Sequence, residues 1–275
     1  MFGTAILLSV LTGILLIIGW ILGGLWGITF ALILAIVINF ISYWYSERIV
    51  LTMYNAKPTK NVLLEGMVKR LSRDAGVPEP RIYMIETKDP VPNAFATGRN
   101  PEHSVIVVTS GLLGLEEHEI EAVIAHELGH IKNRDVLVAS MAATIAGAIA
   151  YLAQIAYWSM FFGERRYGGA NILLILVIAI FAPIAALMVR LAISRGMEFK
   201  ADYTSAVITK RPRSLASALQ KISRVLGERT IKGPVATSHL WIVNPFRGNW
   251  FSNMFSTHPP VEERIKKLTN MDGEV

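Results

Sequence analysis

Hydrophobic and polar positions alternate along this chain in whole segments rather than residue by residue. Across residues 1–46 no side chain carries a formal charge, and Glu47 is the first ionised one. Two further uncharged stretches cover residues 136–163 and 167–189. Each exceeds the roughly 20 apolar residues with which a helix crosses a bilayer. The first stretch is long enough for two crossings, with Gly23, Gly24 and Gly27 at a tight reversal. Four spans are therefore expected, two at the N-terminus and two as a later hairpin. The first stretch lacks the basic start and small-residue exit of a cleaved signal peptide, so it reads as a membrane anchor.

Between the spans lie two polar segments, about 46–135 and 190–275. An even number of crossings separates them, so they share one side of the membrane and form one domain. The chain thus divides into an N-terminal hairpin (1–45), a first polar part (46–135), a second hairpin (136–189) and a second polar part (190–275).

Finer periodicities predict the elements inside the polar segments. Apolar Leu64, Met67, Val68 and Leu71 recur among charged residues over 61–75, and Gly76 follows, as at the end of an amphipathic helix. Residues 81–86 and 104–109 are β-branched and aromatic runs that read as strands. Residues 91–98 form an edge strand, where Pro92 is tolerated. Glu116 opens a helix with an acidic first turn; it runs through His126 toward Asp135, in position to continue straight into the third span. The second polar segment begins with a helix through Glu198 and Asp202. A helix over 214–226 with Gly227 as its stop follows, then an aromatic loop over 241–255, then an amphipathic helix over 261–268 behind Pro259 and Pro260.

Composition agrees with the segment pattern. Of 275 residues, 52% are apolar and 17% charged, where a soluble globule carries about a quarter charged. There is no cysteine, which excludes disulfides, thiolate metal sites and cysteine nucleophiles. The net charge of +6 is not gathered into one block of the kind nucleic acid binds. Arg48, Lys57, Lys60, Lys132, Arg134, Arg190, Arg195 and Lys200 instead flank the apolar stretches, as cytoplasmic loops do. Arg165 and Arg166 in the later hairpin tip point weakly the other way. On balance the N-terminus and both polar segments are expected in the cytoplasm.

Within the helix from Glu116 stands His126-Glu127-Leu128-Gly129-His130, an H-E-x-x-H sequence. Residues four apart share a helix face, so both imidazoles reach one ion. Two neutral nitrogens plus a carboxylate suit zinc, with the fourth position left for water. Glu127, beside the first ligand, is placed to take that water's proton and pass it to the leaving amine. Asn133 and Val136 stand where an extended metzincin pattern needs Gly and His, so the third ligand must come from elsewhere. Glu198 on the later helix is the candidate. Asp202, one turn on, is at the right offset to accept a hydrogen bond from a ligating imidazole. Asp135 admits two readings, a second buttress of the site or a residue marking the membrane boundary. His103, His118 and His239 are read as structural. The fold class that follows is a mainly α integral membrane protein, about four transmembrane helices plus a cytoplasmic α+β zincin-like catalytic domain with a small sheet.

Taken together, the H-E-x-x-H helix, the Glu198–Asp202 pair, the segment 93–98 and Thr257-His258-Pro259 resemble the HtpX heat-shock protease family, membrane relatives of the Ste-type CAAX prenyl endopeptidases. The resemblance covers essentially the whole chain. It implies a zinc-dependent endopeptidase acting in quality control of membrane or misfolded proteins, with one zinc per chain held by His126, His130 and Glu198 and with Glu127 as general base. It further implies that Asn93, Ala94, Phe95 and Ala96 lie in a strand against which substrate backbone pairs, by main-chain hydrogen bonds that ignore sequence. His258 has two open readings, a donor to the developing oxyanion or a loop residue before a Pro-started helix. The implied partners are protein substrates and the lipid bilayer, not nucleic acid, with no oligomeric state assigned.

Two rival readings make different demands. An intramembrane protease would carry the motif inside a span, but Glu116, Glu117, Glu119, Glu121, Lys132, Arg134 and Asp135 around it would be very costly at that depth. A non-enzymatic scaffold with a structural zinc would need a closed site of four protein ligands, with His258 as the fourth.

Overall fold

The structure is a computed structural model that describes residues 2–87, 90–145, 194–229, 231, 235–246 and 259–271. It is mostly helical with one small sheet. The expected later hairpin lies outside the described residues, apart from its first ten, and so does His258.

Helix α1 (Phe2–Met53) is two helices merged across a break, at Gly23 (φ −155°, ψ 21°) and Gly24 (φ 53°, ψ −134°). Gly24 takes a left-handed φ that side-chain-bearing residues avoid. The two arms fold back on each other. Asn39 Nδ2 donates to Thr12 Oγ1 at 3.0 Å, and Gly19 and Gly27 approach so closely that a Cβ on either would strike the other's carbonyl oxygen. Gly23–Met53 is long and apolar enough to cross a membrane, with 31 residues and an 18-residue stretch of mean hydropathy 2.3. Its side chains remain largely uncovered: Trp26 is 86% exposed and Phe30 70%, an apolar surface of the kind that meets a membrane or another protein.

The polar part begins with a short strand, β1 (Lys57–Pro58). Helix α2 (Val62–Ala75) is capped as its sequence dictates: the Asn61 side chain accepts from Leu64 N, and Gly76 turns left-handed at φ 70°. Strands β2 (Arg81–Ile85), β3 (Ala94–Gly98) and β4 (Ser104–Thr109) complete a sheet of order β1-β2-β4-β3. β2 and β4 run parallel, and β3 lies antiparallel to β4 with Ala94 opposite Val108 and Gly98 opposite Ser104. β3 is thus an edge strand, shorter than the run from which it was expected.

Helix α3 (Glu117–Asn133) crosses the centre of this domain. Its first turn is closed by Glu119 Oε2 accepting from the Glu116 backbone N–H at 3.0 Å. Ile120, Val123, Ile124, Leu128 and Ile131 are buried on it, against Leu64, Met67, Val68 and Leu71 of α2 within one hydrophobic core. The helix does not run straight on into the next apolar stretch, as its pattern allowed. Arg134 adopts φ 62° and caps it, so α4 (Val136–Ile145) starts as a separate helix. The break leaves Asp135 between the two helices rather than on a continuous helical face.

Helices α5 (Arg195–Thr209), α6 (Pro212–Glu228) and α7 (Val261–Asn270) follow. Gly227 does not stop α6, which continues to Glu228; one glycine in a strongly amphipathic helix costs only about 1 kcal/mol. α5 lies directly along α3. A Cβ at Gly129 would come 3.0 Å from Ala201 Cα and 3.2 Å from the Ala201 carbonyl oxygen, so the glycine within H-E-x-x-H is what lets the two backbones touch.

Candidate active site

Close contact between α3 and α5 has a chemical consequence. It brings Glu198, on the first turn of α5, onto the face of α3 that carries both histidines. His126 Nε2 and His130 Nε2 lie 3.2 Å apart. Glu198 faces both, with Oε2 3.7 Å from His126 Nε2 and Oε1 3.5 Å from His130 Nε2. A zinc bound tetrahedrally by two imidazoles at about 2.0–2.1 Å would hold its nitrogens about 3.3 Å apart, so this donor set fits such an ion. His126 and Glu198 are buried and His130 is nearly so.

The electrostatics of the pocket favour a cation. Burial pulls the His126 imidazole down to about 4, which keeps it neutral and its lone pair available. His130 goes the other way. Burial opposes its charge, but Asp135, Glu198 and Glu127 together push it up to about 9. Three carboxylates around one imidazole thus draw in a positive charge. Glu127 is raised to about 7, first by burial and then by Glu198, against the pull of His130, Arg264 and a hydrogen bond from the Ala96 backbone. A carboxylate near neutrality is suited to accept a proton and return it.

Each histidine is oriented from behind. His126 Nδ1 is 2.9 Å from Asp202 Oδ1; donation there leaves Nε2 as the acceptor atom facing the site. His130 Nδ1 lies 3.5 Å from Asp135 Oδ2, a looser contact made possible by the bend after α3.

One residue was not singled out in the sequence. Arg264, in the first turn of α7, is completely buried behind the site. Its Nε and Nη2 donate to Asp202 Oδ2 and Oδ1 at 2.9 and 2.6 Å. Its Nη1 donates to the Ile242 carbonyl at 2.8 Å and lies 3.2 Å from Glu198 Oε2. Burial alone would raise the Asp202 carboxyl, but Arg264 and His126 more than offset it and hold it below the ordinary value. The guanidinium therefore ties α7 to α5 and aligns both Asp202 and Glu198. A sequence signal existed, since Arg264 sits three residues behind the first residue of α7, on the face shared with Leu268. It was masked by the neighbouring Glu262, Glu263, Lys266 and Lys267, which give the helix a solvated look.

Of the remaining predicted positions, Ala96 lines a cavity of about 30 Å³ beside Glu127 and His130, walled also by Glu198, His239 and Trp241 among others. That volume holds roughly one or two waters, not a peptide. The segment 239–242 fills the rest. Ile242 N donates to the Ala94 carbonyl at 3.0 Å, and Asn93 Nδ2 donates to the Val243 carbonyl at 2.9 Å. Trp241 stacks edge-on against Phe95 and Tyr54 and donates from Nε1 to the Tyr54 hydroxyl at 3.1 Å. Asn93, Ala94, Phe95 and Ala96 are consequently buried, and the expected open edge of β3 is covered by the chain itself. His239, read as structural, does meet a backbone carbonyl, that of Ala139 at 3.1 Å, but it also lines the cavity. His118 and His103 lie elsewhere, His118 beside Glu116 and His103 on Asn100.

A helix-borne pair of histidines with a glutamate between them, faced by a carboxylate from the next packed helix, is a donor set that could hold the metal of a metallopeptidase. Comparison with known proteins narrows this. Residues 58–272 match the sequence profile of peptidase family M48, and the chain belongs to that family. It is 49% identical over 280 residues to a protein called "Protease HtpX homolog" from Pyrococcus furiosus, covering 99% of this chain and 96% of that one. A protein of the same description from Desulfatibacillum aliphaticivorans is 47% identical over 277 residues, covering 97% and 88%. Among solved structures, S. mikatae Ste24p shares the fold with a TM-score of 0.50 at 18% identity. That match covers 97% of this chain but 62% of Ste24p, so the chain spans under two thirds of that protein's length.

Proposed function

We propose that this metalloendopeptidase uses zinc, held by His126, His130 and Glu198, to hydrolyse peptide bonds in membrane or misfolded proteins. The observation that carries the reading is the pair of Nε2 atoms 3.2 Å apart with one buried glutamate facing both. When bound, zinc would lower the pKa of a water to about 7 and polarise the scissile carbonyl. The protein's own groups supply the rest. Glu127, held by the Ala96 N–H, takes the water's proton and delivers it to the departing amine. Asp202 keeps His126 in the tautomer that presents Nε2, and Arg264 keeps Asp202 ionised to do so. Asp135 performs the same office for His130.

Substrate backbone would add to β3 along Asn93, Ala94, Phe95 and Ala96, where the Ala94 carbonyl now accepts from Ile242 N. A peptide taking that hydrogen bond would pass directly over Glu127. His258 is assigned the oxyanion donor. Four spans, made from a hairpin at 1–45 and another at 136–189, would leave the two catalytic parts, 46–135 and 190–275, joined on the cytoplasmic side. The exposed apolar face of Gly23–Met53 supports the first of these.

The decisive test is Glu127→Gln in the purified full-length protein. Peptide cleavage should fall about 10²–10⁴-fold, the range for losing a general base, while one zinc per chain is retained. Undiminished cleavage would remove Glu127 from the mechanism.

A further inference from the structure

A cavity of about 640 Å³ lies well away from the catalytic centre, between the polar end of α1, the start of β2 and the turn joining β3 to β4. Its position along α1 is informative. Trp44 stands about 30 Å from the reversal at Gly24, at 1.5 Å per residue, which is the thickness of a bilayer's hydrocarbon core. On the reading that Gly23–Met53 crosses a membrane, the cavity opens at the level of the lipid headgroups. Trp44 and Tyr45, both nearly half exposed there, are residues that settle at this level.

The lining is made for a phosphate. Arg48, Arg81 and Arg99 all contribute, against Glu47 and Glu102. Arg81 is occupied, since its Nη2 donates to Glu47 Oε1 at 2.6 Å. Arg48 and Arg99 form no ion pair with any described residue. Arg99 instead lies over the Trp44 ring, 4.7 Å from its centroid, which fixes the guanidinium plane while leaving its donors available.

We infer that this cavity binds the phosphate headgroup of an anionic membrane lipid, through Arg48 and Arg99. The acyl chains would descend along the outward face of α1 past Phe40, which is 56% exposed. Glu102, exposed in the same lining, would discourage a second anion. A lipid seated here would bridge α1 to the β3–β4 turn. It would thus couple the bilayer to the strand that borders the active site.

The experiment is native mass spectrometry of the full-length protein in neutral detergent, titrated with phosphatidylglycerol or phosphatidylcholine. Wild type should retain phosphatidylglycerol on the order of tenfold better, given the usual worth of juxtamembrane basic residues. Arg48→Gln with Arg99→Gln should bring that ratio close to one at unchanged zinc content and Tm. Should the double variant fold poorly, wild type in rising salt gives the same reading, because the preference should shrink as the guanidinium–phosphate attraction is screened. Equal retention of both lipids, a ratio indifferent to the substitutions and to salt, or full displacement by soluble glycerol 3-phosphate would each overturn the inference, the last by assigning the site to a free phosphate. The span itself is tested apart from this, by labelling Leu34→Cys with a water-soluble maleimide in intact vesicles. Protection from labelling together with no lipid preference defeats the lipid site alone; labelling defeats the span as well.

Discussion

Arg264 offers the sharpest test of how the site is held together. Replacing it with Met keeps most of the volume and removes the charge. The structure then has two carboxylates, Asp202 and Glu198, each 2% exposed, that have lost a guanidinium 2.6 Å and 3.2 Å away. Breaking a buried pair by deleting one partner costs about 3–5 kcal/mol, because the surviving charge remains desolvated. The bidentate geometry to Asp202, at 2.9 and 2.6 Å, puts the expected cost in that range rather than below it. For a domain of this size 1 kcal/mol moves Tm by about 2–4 °C, so chelator-treated Arg264→Met should melt about 10 °C below chelator-treated wild type. Zinc should recover much of the loss, since a divalent cation at the same carboxylates supplies the missing positive charge. The gap in Tm between zinc-loaded and zinc-free protein should therefore be wider in the variant than in wild type. Arg264→Lys, which keeps a charge but not the planar fork, should fall between the two. Differential scanning calorimetry reads all of these. A zinc-free Arg264→Met protein that melts within about 3 °C of wild type would refute the argument, since that corresponds to about 1 kcal/mol and would mean that the guanidinium is not the counter-charge of the site.

Three further outcomes follow from the same geometry. Glu198→Ala should lower zinc content sharply by metal analysis, and an unchanged stoichiometry would assign the third ligand to another carboxylate. Asp202 titrates below its ordinary value of 3.8 in the folded protein, so its stabilising contribution is present above the unfolded pKa and is lost as pH falls through the folded one. Zinc-free wild type should accordingly lose stability in acid below about pH 4, and Asp202→Asn should flatten that part of the profile; parallel profiles would separate the residue from acid unfolding. Gly129→Ala places a methyl group 3.0 Å from Ala201 Cα, where overpacking costs about 1–3 kcal/mol. It should push α5 away and weaken zinc binding as well as lowering Tm, and zinc affinity equal to wild type by competition with a chromophoric chelator would show that the helix contact does not position Glu198.

The local elements were legible because their causes are local. Asn61 and Gly76 bracket α2, the acidic turn after Glu116 opens α3, and β-branched runs give β2 and β4, all from interactions spanning a few residues. Spacing likewise put His126 and His130 on one face; Asp202, one turn beyond Glu198, lies 2.9 Å from His126. Where α3 ends was less legible. Arg134 in a left-handed turn is a conformation that an arginine's sequence does not advertise.

What the sequence alone determined about this protein is its pair of chemistries: apolar segments that water would reject, and a metal-binding motif whose geometry is internal to one helix. Only the tertiary structure decided which distant groups complete that motif. Arg264 looks like one more charge on an amphipathic helix until α7 is docked, and Trp241 looks like a loop aromatic until it seals the edge of β3. Both acquire their roles through desolvation, which depends on what surrounds a side chain in space, and no local pattern encodes that.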